Sequence, residues 1–174
     1  MRKTVCLLSL FAVCVPFSAS LLAQAVDATQ PRASQHAVLT VQGRGAQIYT
    51  CQPVAASFQW VFQAPVARLF DQNGAEVGTH ADGPTWTMQD SSSIQGVLQT
   101  KQPAPDGANI PWLLLKAVKP QRSGILTAVE FIRRSDTQGG VAPATGCDAT
   151  HKGDLARVPY AATYTFYSAV APGN

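Results

Sequence analysis

Apolar and polar residues alternate with a period of two through much of this chain, and that period belongs to strands. Over 57–63 the rings of Phe58, Trp60 and Phe62 alternate with Ser57, Gln59, Val61 and Gln63. Over 160–167 Tyr160, Ala162, Tyr164 and Phe166 share one face, leaving Ala161, Thr163, Thr165 and Tyr167 on the other. Composition and flanking turn residues predict further strands over 37–42, 46–51, 66–70, 85–88, 94–100, 112–118 and 125–134. Gly43-Arg44-Gly45 reads as a tight reversal between two of them, and Asn73-Gly74 as a hairpin turn. The stretches 102–109 and 137–153 are rich in turn formers and read as long loops. No apolar stripe at helical spacing has a useful length. The prediction is an all-β fold, a β-sandwich or β-barrel of short antiparallel strands with long loops. Neither an internal repeat nor a linker interrupts 37–170, so that span reads as a single domain.

The first 25 residues follow another pattern. Arg2 and Lys3 precede an apolar run over 5–15, and Ala23-Gln24-Ala25 supplies the small residues of a peptidase site. That order reads as a signal peptide over 1–25, cleaved near Ala25, and 26–36 reads as a flexible N-terminal segment. The expected location is therefore secreted or periplasmic. The apolar run is shorter than the roughly 20 residues of a membrane-spanning helix. The greasiest later run, 111–118, contains Lys116, so no membrane span is expected once the leader is gone. Arg2 and Lys3 leave with the leader while all 10 acidic residues stay, which brings the charge of the remainder close to zero. Its basic doublet, Arg133-Arg134, is no concentrated basic face, and nucleic acid is excluded as a partner.

The leader also takes Cys6 and Cys14, leaving Cys51 and Cys147. Two thiols in an oxidising compartment are expected to pair. Closing a loop of about 100 residues stabilises by roughly 4–5 kcal/mol in the chain-entropy account. A reactive thiol or a metal ligand is the competing reading for each cysteine.

Candidate chemistry concentrates in Gly78-Thr79-His80-Ala81-Asp82-Gly83-Pro84-Thr85-Trp86. His80 has the chemistry of a general base or metal ligand, with Asp82 two residues on to orient it or share the metal. In the plainer reading Asp82 bonds backbone amides in a turn and Trp86 plugs the core. A second cluster is Asp148, His151 and Asp154; His80, His151 and Asp148 are the weak metal candidates, although their spacing matches no established metal pattern. Among the aromatic residues, Trp86, Tyr160 and Tyr164 are candidates for stacking on a flat ligand. Lys116, set in an apolar run, and Glu130, in phase with Leu126 and Ile132, are explained by an edge strand. No Gly-x-Ser-x-Gly elbow, P-loop, dinucleotide fingerprint or His-Glu-x-x-His occurs.

Five ordered motifs carry a resemblance. They are Gln47-Ile-Tyr-Thr-Cys51; Gly78-Thr-His80 with Gly83-Pro-Thr-Trp86; Ile110-Pro-Trp-Leu-Leu-Leu-Lys116; Thr137 to Pro143 with Gly146-Cys-Asp148; and Val158-Pro-Tyr160 with Tyr164-Thr-Phe-Tyr167. Over about Val38 to Tyr167 the chain resembles the domain-of-unknown-function 3455 family of exported bacterial and fungal proteins. The resemblance implies a single-domain exported protein and supports a bridge from Cys51 to Cys147. It brings no reaction, ligand or catalytic residue.

The leading expectation is a non-catalytic module that binds a small molecule, a carbohydrate or a cell-envelope partner, with no cofactor. The alternatives are a metal-dependent or acid–base enzyme centred on His80 and Asp82, and a structural or stress-protective exported protein.

Overall fold

The computed structural model describes residues 26–169, apart from the side chains of 119–121. The leader read over 1–25, with its two cysteines, lies outside those residues. The alternating segments become eight antiparallel strands: β1 (Gln35–Val54), β2 (Ser57–Phe70), β3 (Glu76–Ala81), β4 (Thr85–Met88), β5 (Ser93–Gln102), β6 (Trp112–Arg122), β7 (Phe131–Gly139) and β8 (Leu155–Ala169). Each pairs with the next, and β8 returns to β1, so the sheet closes into a barrel in simple up-and-down order. Closure removes the edge strands that an open sheet would have to protect. The fold is all-β, and a barrel rather than a sandwich.

Gly43-Arg44-Gly45 is no reversal. It lies in the middle of β1, which pairs with β2 on one side and β8 on the other through these residues. A Cβ on Gly43 would lie 2.5 Å from the Tyr164 ring, and one on Gly45 would overlap the backbone of Val66 and Ala67. These glycines let one long strand curve through the barrel wall while its neighbours approach closely. Register shifts at Ile48/Tyr49 and Ser135/Gln138 add to that curvature. The Asn73-Gly74 turn is as expected: Asp71 Oδ1 accepts from the amides of Asn73 and Ala75, both at 2.9 Å, and Gly74 has φ 80°.

The strand expected over 125–134 is also corrected. Residues 125–128 form a turn, and β7 begins at Phe131. Leu126 and Val129 fold under the barrel and join a core that includes Val41, Leu69, Met88, Ile94, Ile132 and Phe166. Asp90 ties this plug in place, because its carboxylate accepts from the Ser92 hydroxyl at 2.6 Å and the Ile125 amide at 2.8 Å. Those bonds hold the Asp90 carboxyl below its ordinary range. With no edge in the sheet, Lys116 is simply on the solvated outer face, and Glu130 accepts from Gln35 Nε2 at 2.8 Å.

The start of β1 meets the end of β8, where Gln35 pairs with Ala169, at the plugged end. The Cys51–Cys147 disulfide, with Cα atoms 5.4 Å apart, lies toward the opposite end and fastens the 140–154 loop to β1. Before β1, Asp27 Oδ2 accepts from Arg133 Nη2 at 2.5 Å and Thr29 Oγ1 from Arg133 Nε at 3.2 Å. The segment read as a flexible entry therefore has residues fixed against β7. Arg133 also lies 5.0 Å over the Trp112 ring.

Candidate functional site

The plug leaves the other end of the barrel to hold a cavity of about 180 Å³. The β3–β4 turn at Asp82, Gly83 and Pro84 forms part of its rim, where Phe62 of β2 is also exposed. Its wall is largely carbon, from Pro65, Trp86, Leu113 and Leu115. Into that wall β1 sends Gln47, β3 sends His80, β7 sends Arg134 and β8 sends Tyr164.

His80 is only 3% exposed. Its Nδ1 lies 2.9 Å from the Thr85 carbonyl, which can only accept, so the ring carries its proton on Nδ1 and its lone pair on Nε2. The imidazole stacks on Trp86 at 4.3 Å and 12°, with the Tyr164 ring 5.0 Å away. Burial pushes its pKa down to about 4, against the bond to Thr85 and with help from the positive charge of Arg134. His80 is therefore a neutral histidine at pH 7.

Asp82 does not orient it. Its Oδ1 accepts from the Gly83 amide at 2.7 Å, and the carboxylate is exposed at the rim. The fold thus brings His80, Asp82, Trp86 and Tyr164 to one cavity, without a hydrogen bond between His80 and Asp82. Tyr160 stands behind them, its hydroxyl 3.1 Å from that of Tyr164. Burial raises the pKa of both phenols, so they remain protonated.

The second cluster is elsewhere. Asp148 caps a single 3-10 turn (Ala149–His151), accepting from the Thr150 amide at 2.8 Å. His151 Nδ1 is 2.8 Å from Asp148 Oδ1, and both side chains are exposed. The Asp148 bond and charge push the His151 pKa up, and the Thr150 and His151 bonds hold the Asp148 carboxyl down. Among the described residues no group of three His, Cys, Asp or Glu side chains is placed to hold a metal ion. The weak metal candidates His80, His151 and Asp148 do not form one site.

Sequence alone does not single out two polar residues of the cavity, Gln47 and Arg134. Gln47 is 2% exposed, and its Nε2 has no hydrogen-bond partner among the described residues. Arg134 follows Ile132 at an inward position, and its Nε and Nη2 donate to the Pro111 carbonyl at 3.1 and 2.8 Å. The available signal was strand phase: of two consecutive arginines in a strand, one must face inward.

A family model described as protein of unknown function (DUF3455) matches residues 31–168, which span the barrel but for the last residue of β8. The chain belongs to that family. No curated protein and no solved structure matches it.

His80 gives a prediction about acid. Its folded pKa of about 4 lies below the ordinary 6.5, so the unfolded chain binds the extra proton first as pH falls. Stability should be fully present above about pH 6.5 and decline toward pH 4. The shift corresponds to a loss of roughly 2–3 kcal/mol between pH 7 and 4.5. His151, with its raised pKa, acts in the opposite sense. Urea unfolding across this range should therefore show a steeper pH dependence in the native chain than in His80→Gln. Equal slopes would mean that the imidazole is not held neutral.

Proposed function

We propose that this protein is an exported, non-catalytic binding module that holds one small, mainly apolar molecule in the open end of its barrel. One observation carries the reading: a carbon-walled cavity of about 180 Å³ at one end of a barrel whose other end is plugged by Leu126 and Val129. An eight-stranded barrel has an interior just wide enough for packed side chains or for one small ligand. Engineered apolar cavities of about 150 Å³ take up benzene. The size here fits a single-ring molecule or a short chain. Export rests on the leader pattern of the first 25 residues.

The wall argues against the carbohydrate version. Trp86, Tyr160 and Tyr164 are buried, so they offer no exposed platform for stacking on a sugar. Acid–base chemistry has the Nε2 lone pair of His80 in its favour. Among the described residues no second group joins it, since the ring's bonded partner is a backbone carbonyl and Asp82 is engaged by Gly83.

Thermal unfolding with toluene or indole at ten times the dissociation constant tests the proposal. Binding to the native state alone adds about 1.4 kcal/mol, or roughly 3–6 °C in Tm for a domain of this size. Leu115→Trp, which fills the cavity, should abolish the shift. A shift that survives this substitution, or no binding of either compound, would overturn the lumen as the binding site.

A further inference from the structure

Building on the lumen reading, we infer that the ligand is a small carboxylic acid, bound with its carboxylate directed inward to Arg134 and Gln47. The cavity wall is carbon except for a few polar groups; two of these are N–H donors buried without a partner among the described residues, and the Nε2 lone pair of His80 is an acceptor. Among the described residues Gln47 Nε2 and Trp86 Nε1 are both buried without a partner, on residues 2% and 1% exposed. Both residues line this cavity. A buried N–H left unpaired is costly, and structures rarely retain two beside one cavity. Beside them is Arg134, whose guanidinium bonds the Pro111 carbonyl and pairs with no carboxylate among the described residues. The other arginine of the doublet has its counter-ion in Asp27. Arg134 is thus a cation in a carbon-walled lumen with its charge uncompensated.

The remaining polar groups of the lumen add no further charge to it. His80 is neutral and occupies its N–H on Thr85, so it adds no second cation. The hydroxyls of Tyr160 and Tyr164 bond each other. The acid among the lining residues is Asp82, which is exposed at the rim. It would repel an anion left at the mouth, and so favours the orientation with the carboxylate inside and carbon toward Phe62. A carboxylate oxygen accepts from several donors at once, and its pairing with guanidinium is among the stronger hydrogen bonds available to a small ligand.

Matched single-ring probes separate this inference from the reading beneath it. Benzoate, benzamide and toluene share a ring and differ in charge and acceptor. Calorimetric titration at pH 7 and low salt should find benzoate at least tenfold tighter than toluene, with benzamide between. Gln47→Leu should reduce the preference for benzoate over toluene, and Arg134→Met should abolish it. Because Arg134 also holds the Pro111 carbonyl, Gln47→Leu serves if Arg134→Met does not fold. Toluene binding as tightly as benzoate would overturn the inference and leave the lumen reading standing. Benzamide matching benzoate would remove the charge from it, and a native chain that binds none of the three would defeat both.

Discussion

Replacing the disulfide with Cys51→Ala and Cys147→Ser is expected to cost about 4 kcal/mol of stability, with a fall in Tm on the order of 10 °C. The bridge spans 96 residues, so it removes much of the freedom of the unfolded chain. Little compensating change is expected in the native state. The Cys51 amide donates to the Asp154 carbonyl, and the Gly153 amide to the Cys51 carbonyl, both at 2.9 Å, which keeps the loop beside β1 without sulfur. The barrel closes through the pairing of β1 with β8, from Gln35 opposite Ala169 to Thr50 opposite Leu155, and does not depend on the bridge for its topology. The variant should therefore give a native far-ultraviolet spectrum, a lower calorimetric Tm, and faster proteolysis confined at first to the 140–154 loop. A loss below 1 kcal/mol would show that the unfolded chain is already compact enough for the cross-link to remove little.

The strands were legible in the sequence wherever one face was apolar and the other polar. The inward face of β8, with Tyr160, Ala162, Tyr164 and Phe166, follows directly from period two, as does the hairpin at Asn73-Gly74. Glycine was ambiguous. The same residue that permits a turn also permits close approach within a curved strand, and Gly43 and Gly45 serve the second purpose. The 125–130 stretch misled for a related reason, because Leu126 and Val129 are apolar to plug the barrel end rather than to alternate across a sheet. His80, Asp82, Trp86 and Tyr164 were recognisable as candidates by residue type, and the fold brings all four to the cavity. Gln47 and Arg134 were not, since a polar side chain at an inward position is notable only once the strand's phase and the empty space beside it are known.

Trp86→Ala is expected to have an effect as large as loss of the disulfide, about 3–5 kcal/mol. Trp86 lies on β4, the shortest strand, yet its ring stacks on His80 and meets Tyr164 and Phe166 edge-on, at 5.6 and 6.1 Å. It separates the packed half of the barrel from the cavity, so truncation joins a new void to an existing one. That geometry sets the magnitude: a sealed void would carry the full cavity penalty, whereas one open to the mouth can admit solvent and should lie toward the lower end. Two further results distinguish the loss of this partition from general damage. Indole should bind the truncated chain more tightly than the native one and return part of the lost stability. Water reaching His80 should raise its pKa toward 6.5, flattening the acid dependence of stability. Trp86→Phe should cost less than ring size alone implies, because it also removes a buried N–H with no partner among the described residues. Urea unfolding of the two variants, with and without indole at pH 7 and 5, measures each effect. If indole fails to stabilise Trp86→Ala, the space behind this ring is not continuous with the cavity.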